Sequence, residues 1–258
     1  MTLDQKIIYE QPLSERVRTF LRLDFLFRLT DHHLKGSTEW DIRSALNSLL
    51  DINDLISRTD IKNELIKELE KDSSVLGSWK QNPDVDAERL DIILADIRNF
   101  LDKLRDPGYQ PGLSLKQNEL VNAIKQRNAM LGGSCSFDLP AYHQWLHRDP
   151  ELQRSALESW QDDLRTIKKG TFLVLNLIRN SSNPSQETAI QGNYQRSLEQ
   201  NSNYQLIRIM LPSSSHFFPE ISAGKHRFSV RFMEQSDSRY RPVQTDSDVE
   251  FRLQCCTL

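Results

Sequence analysis

The hydrophobic period of this chain changes once, near Asn180-Ser181-Ser182-Asn183-Pro184, and that change divides what it can fold into. Before it, apolar residues recur every three or four positions. Leu90, Ile93, Leu94, Ile97, Leu101 and Leu104 form one stripe, and Ile61, Leu65, Leu69 and Leu76 form another. Trp40, Ile42, Leu46, Leu49 and Ile56 also fall close to one face. A period near 3.6 predicts amphipathic helices around a shared core. After the change the period is two. Phe228, Val230 and Phe232 take one side of a strand, with Lys225, Arg227 and Arg231 on the other. Val249, Phe251, Leu253 and Cys255 alternate with Asp248, Glu250, Arg252 and Gln254, and Ile207, Ile209 and Leu211 alternate around Arg208. A further strand is expected within Thr188–Leu198. This pattern predicts a small, mostly antiparallel sheet with one buried face. The fold class is therefore α+β, with an all-α domain over residues 1–182 and a β-strand domain over 183–258. The run Ile7-Ile8-Tyr9, within residues 6–10, is short but can add an N-terminal strand to that sheet.

Punctuation supports the helical half. Asp149-Pro150 sets a capping side chain before a proline that needs no N–H at the first helical position. Ser114 with Gln117 reads as a capping box. Asn82-Pro83 and Asp106-Pro107-Gly108 separate helices, and Gly170 suggests that the last helical segment is bent or split. The first helix, with Val17, Phe20, Leu21, Leu23, Phe25, Leu26 and Phe27, is apolar enough to sit centrally in its domain.

A net charge of −3 gives no global attraction to nucleic acid or to an anionic membrane, so any binding charge must be local. Three cysteines, with Cys255 and Cys256 adjacent, do not make a disulfide framework and point to reduced cytosol. The opening Met1-Thr2-Leu3-Asp4-Gln5-Lys6 lacks the basic-then-apolar pattern expected of a secretory leader, and no apolar run approaches the roughly 18 residues of a membrane helix.

The stretch Gly132-Gly133-Ser134-Cys135-Ser136-Phe137-Asp138-Leu139-Pro140, followed by Tyr142, His143, Trp145 and His147, concentrates chemical groups. Cys135 with His143 and Asp138 invites a thiol-enzyme reading, and His143 with His147 has the i, i+4 spacing of metal ligands. A zincin would place Glu after the first His, whereas Gln144 stands there, and no third ligand is evident. The simpler reading is a corner: glycines end a helix near Met130, Asp138 caps the next one, aromatics anchor it, and Cys135 joins the core. No catalytic residue, metal or cofactor is assigned.

Two basic sets stand out against the acidic balance. Arg18 and Arg22 lie one turn apart on the first helix, close to Arg16. Lys225, Arg227 and Arg231 share a strand face, the two arginines about 13 Å apart at about 3.3 Å per residue. Such a row can follow an extended acidic peptide, because each guanidinium can hold a carboxylate through paired hydrogen bonds. The competing reading is a solvated face balanced by Asp248 and Glu250 on a neighbouring strand. Nucleic acid fits less well, since Phe228 and Phe232 point away from the arginines and cannot stack on bases beside them.

Nearly the whole chain resembles the bacterial ZapD family. The similar segments are Tyr9-Glu10-Gln11-Pro12-Leu13-Ser14-Glu15 with Arg18-Thr19-Phe20-Leu21-Arg22, Glu64–Leu69, the Gly132–Pro140 block with His143, Trp145, Leu146 and His147, Arg227-Phe228-Ser229-Val230-Arg231-Phe232-Met233, and Cys255-Cys256. The resemblance implies a non-enzymatic homodimer with a helical domain and a β domain. It would act in the cytoplasm at the mid-cell division site, binding the C-terminal tail of FtsZ and bundling FtsZ filaments. Neither nucleic acid nor membrane insertion is implied. The tail-binding positions carried over are Arg18, Arg22, Arg58, His143, Arg227 and Arg231, with Lys225 alongside. The segment before Leu120 departs from the family, with Lys116 and Glu119 near positions where the family has arginines.

Overall fold

The computed structural model describes residues 6–199, 202–224 and 226–257, so Lys225 lies outside the described residues. The fold is α+β. Strand β1 (Lys6–Pro12) precedes nine α-helices among the described residues: α1 (Glu15–His33), α2 (Glu39–Arg58), α3 (Ile61–Ser78), α4 (Ala87–Arg105), α5 (Leu113–Gln117), α6 (Glu119–Asn128), α7 (Pro140–Leu146), α8 (Pro150–Asp162) and α9 (Arg165–Arg179). Strands follow: β2 (Ser185–Ala189), β3 (Asn193–Ser197), β4 (Tyr204–Pro212), β5 (Phe217–Ala223), β6 (Arg227–Glu234), β7 (Val243–Gln244) and β8 (Val249–Thr257). By compactness the chain divides into two units. One is Phe20–Val174; the other takes the N-terminal residues to Thr19 together with the chain from Leu175 onward.

In the helical unit the stripes behave as helix periodicity requires. Ile61, Leu65, Leu69 and Leu76 of α3 are buried, as are Leu90, Leu94, Ile97, Leu101 and Leu104 of α4, and Phe20, Leu23 and Phe27 of α1. Asp149 caps α8 by accepting from the Glu151 amide at 2.9 Å. The capping box lies at α2, not α5. Thr38 Oγ1 accepts from the Asp41 amide at 3.1 Å, and Asp41 Oδ2 accepts from the Thr38 amide at 3.2 Å. The Thr38 hydroxyl, which donates to Asp41 Oδ2 at 2.6 Å, holds the Asp41 carboxyl below its usual range, with smaller contributions from the His33 ring 3.2 Å from Oδ1 and the Thr38 amide.

Five local expectations are corrected. Helix α5 starts after left-handed Gly112 (φ 75°), and the Ser114 amide donates to Asp163 Oδ2 at 2.7 Å, so Ser114 and Gln117 form no capping box. Trp40 does not join the stripe of α2. It lies exposed in the first turn, with the Arg43 guanidinium 5.7 Å from its ring centre. Cys135 is exposed instead of buried, and α7 is preceded by Leu139 with no side-chain cap from Asp138. The last helical segment splits between α8 and α9, at Asp163-Leu164, while Gly170 stays inside α9. The aromatic anchor is present: Trp145 stacks between Tyr142 and Trp160, each 6.1 Å away.

The other unit holds two antiparallel sheets. The first has the order β1-β4-β8-β2, and the second β3-β6-β5 with β7 also on β6. The chain leaves β2 in one sheet and enters β3 in the other through Gln191 (φ 48°) and Gly192 (φ 68°), both left-handed as a tight primed turn requires. Between the sheets lie Ile207, Ile209, Leu211, Phe228, Val230, Phe232, Val249, Phe251 and Leu253. Phe232 and Phe251 meet across this core with ring centres 5.0 Å apart. Burying each such side chain is worth about 1.5–3 kcal/mol, which is why the period-two pattern fixes which face of each strand turns inward.

Candidate functional site

Once Phe228, Val230 and Phe232 turn inward, Arg227, Ser229 and Arg231 must turn outward. β6 is flanked on both sides, so its outer face extends across register partners. Arg231 lies opposite Asn193 on β3 and Glu220 on β5; Ser229 lies opposite Gln195 and Ser222; Arg227 lies opposite Ser197. Among these outward positions Glu220 is the only acid. Arg231 Nη2 donates to Glu220 Oε2 at 2.9 Å, and both side chains are about half exposed (59% and 48%). Arg227 is exposed and has no ion-pair partner among the described residues.

Two depressions adjoin this face. One, of about 270 Å³, is lined by Arg227, Ser229, Gln195, Ser222 and Gly224. The other is a groove of about 560 Å³ between the end of β1 with the first turn of α1, the β3–β4 connection, and the β5–β6 turn. Gly224 borders both, so the groove continues onto the Arg227 face. Arg18 lines the groove and donates through Nε to Glu15 Oε1 at 2.9 Å. His226 lines it from the β5–β6 turn. Ser14 Oγ accepts from the Val17 amide at 3.2 Å, so the amino-terminal end of α1, where the helix dipole favours anions, also opens on the groove.

Arg18, Arg227 and Arg231 thus belong to one compact unit. Arg22, Arg58 and His143 belong to the other and are exposed on α1, at the end of α2 and on α7 respectively. Among the described residues no hydrogen bond or ion pair links those three to one another. The His143 ring lies 4.4 Å from that of His147, whose Nδ1 is 2.9 Å from the His143 carbonyl. Lys116 and Glu119 are exposed on α5 and α6.

The expected balance of the basic face by Asp248 and Glu250 is corrected. Glu250 is on β8, which pairs with β4 and β2 in the other sheet, and Asp248 accepts from the Gln191 amide at 2.8 Å. The acid beside Arg231 is Glu220. Sequence reading misses it because a strand's own alternation does not reveal its partner's register. It misses His226 because parity assigns that position to the inner face. Around Cys135, no side-chain hydrogen bond joins the thiol to His143 or Asp138 among the described residues. No group of three or more His, Cys, Asp or Glu residues is placed to hold a metal there either. No described helix is long and apolar enough to cross a membrane.

Comparison with known proteins gives a consistent result. Residues 21–231 match the model of the family described as ZapD, cell division protein. The chain is 40% identical over 256 residues to Cell division protein ZapD of Methylococcus capsulatus, covering 99% of this chain and 100% of that one. It is 39% identical to the ZapD of Cupriavidus pinatubonensis over 251 residues, 97% of this chain and 99% of the relative. To that of Nitrosomonas europaea it is 37% identical over 252 residues, 98% and 95% respectively.

Proposed function

The chain belongs to the ZapD family of cell division proteins, and from that premise we propose that it binds the C-terminal tail of FtsZ without catalysing a reaction. The observation that supports this reading most is the outer face of β6. It carries one arginine with no ion-pair partner among the described residues and one held only by the half-exposed Glu220, among Ser, Asn and Gln side chains that can add hydrogen bonds. Arg227 and Arg231 would take successive carboxylates of an extended acidic peptide, while Arg18 and the groove beside them take the neighbouring segment. Arg22, Arg58, His143 and Lys225 complete the proposed contact set.

Acting as a homodimer in the cytoplasm at mid-cell, the protein would carry two such sites and cross-link neighbouring filaments. Two modest sites joined in this way gain avidity through effective concentration, with no new contact. The test is light scattering of FtsZ with GTP. Adding the protein should raise the signal, and Arg227→Glu with Arg231→Glu should abolish the rise. An unchanged rise with the charge-reversed protein overturns the strand site. Sedimentation equilibrium of the free protein tests the dimer, and a monomer at the bundling concentration overturns the cross-linking model.

A further inference from the structure

Two arginines of the proposed site already hold a carboxylate from their own chain. Glu220 is not a loop side chain that happens to reach Arg231. The β5–β6 register sets it directly opposite, on the same face, and the guanidinium–carboxylate contact of 2.9 Å is the geometry a ligand carboxylate would adopt. Glu15 stands in the same relation to Arg18, one helical turn away at 2.9 Å. Arg227 has no such internal anion among the described residues.

We propose that Glu220 is an internal competitor of the site, a carboxylate that a ligand must displace from Arg231, with Glu15 doing the same at Arg18. This rests on the reading of the outer β6 face as an acidic-peptide site. The consequence is selectivity by number of charges. A lone small anion that exchanges with Glu220 makes one ion pair and breaks one, so it gains almost nothing at Arg231. A peptide first anchored at unoccupied Arg227 delivers its next carboxylate at high effective concentration and completes the exchange. Arg231 thereby discriminates against free carboxylates while still accepting the second carboxylate of a polyacidic chain. Because the Arg231–Glu220 pair is about half exposed on both sides, it is weak, and its removal should change affinity about two- to fivefold.

The experiment measures binding of a fluorescein-labelled FtsZ C-terminal tail peptide by anisotropy at fixed ionic strength. The proteins are the wild type, Glu220→Gln, Arg231→Gln, the double variant, Arg227→Gln and Glu250→Gln. Glu220→Gln should bind two- to fivefold tighter than wild type. Glu250→Gln removes an exposed carboxylate from the other sheet and should change affinity less than 1.5-fold. In the Arg231→Gln background the further change Glu220→Gln should have no effect. If Glu220→Gln tightens binding equally with and without Arg231, the gain is a long-range charge effect and the competitor role is overturned. If Arg227→Gln and Arg231→Gln weaken binding while Glu220→Gln leaves it unchanged, the competitor role alone falls. If neither arginine variant weakens binding, the peptide-site reading itself falls. Equal melting temperatures across the set exclude misfolding as the cause.

Discussion

Arg208 on β4 and Arg231 on β6 occupy matching places in their two sheets, and only one of them is available to a ligand. Each points away from the core between a glutamate on one neighbouring strand and an amide on the other. Arg208 has Glu10 on β1 and Gln254 on β8; Arg231 has Glu220 on β5 and Asn193 on β3. Arg208 donates to Glu10 Oε1 at 2.9 Å and to Gln254 Oε1 at 2.8 Å. The end of α9 then covers that face. Arg179 grips both Glu10 oxygens at 2.9 and 2.7 Å, and Gln254 donates to the Arg179 carbonyl at 2.8 Å. Arg208, Glu10 and Arg179 keep only 14%, 18% and 21% of their side-chain surface exposed. On the second sheet the corresponding pair stays about half exposed. The same cross-strand arrangement is thus a structural clamp where a helix removes water and a labile contact where none does.

The largest expected effect tests the clamp. Glu10→Ala removes the carboxylate that the little-exposed Arg208 and Arg179 share, which should cost about 3 kcal/mol. At about 2–4 °C per kcal/mol for a chain of this size, the melting temperature should fall by roughly 6–12 °C. Glu220→Ala should cost less than about 0.5 kcal/mol. Equal losses for the two variants, read from urea denaturation, would show that burial does not separate the two sheets.

The next effect runs the other way. Arg227→Glu with Arg231→Glu should weaken binding of the FtsZ tail peptide by more than about tenfold, or about 1.4 kcal/mol, by replacing two charge-assisted contacts with repulsion. The melting temperature should stay near the wild-type value. A large drop in melting temperature with binding retained would reverse the assignment of the two faces.

How much of this comparison is legible from sequence depends on the range of the interaction. The α+β class follows from periodicity, and so does the outward placement of Arg227 and Arg231, because a strand's alternation is local and Phe228, Val230 and Phe232 leave no choice of inner face. Asp149-Pro150 is equally local. Glu10 and Glu220 are not legible as arginine partners, since they depend on which strands pair and in what register. Pairing Asp248 and Glu250 with the β6 face fails for that reason. Cys135 fails differently: a small, apolar-leaning residue near aromatics suggests burial, but the turn closed by left-handed Gly132 leaves it on the surface. Trp40 likewise has helical spacing, but in the first turn of α2 it lies beyond the reach of the core.

Salt separates the two faces at a smaller scale. Exposed charges are screened beyond about 8–10 Å at 0.1–0.15 M ionic strength, whereas the partly buried clamp is screened much less. Raising salt from 50 to 300 mM should therefore weaken tail-peptide binding several-fold while moving the melting temperature by no more than a degree or two. A melting temperature that falls in step with binding would mean that water and ions reach Glu10 as freely as Glu220.

The smallest effect extends the contrast from arginine to cysteine. Cys135 is exposed, whereas Cys256 is fully buried on β8, and burial pushes its thiol up to about 11. Cys135→Ser should change stability by less than about 0.5 kcal/mol. In the native protein at pH 8 an aromatic disulfide reagent should label Cys135 promptly and Cys256 only after denaturation. The sign of the pH dependence follows from the raised value. The unfolded thiol loses its proton near 9 and the folded one near 11, so the folded state holds more protons between these values. The stability this contributes is fully present below about pH 9 and lost as pH rises towards 11. Denaturation midpoints should therefore fall more steeply across that window for the wild type than for Cys256→Ala. Identical slopes would mean that the thiol is solvated in the folded state, and rapid labelling of Cys256 at pH 8 would mean the same.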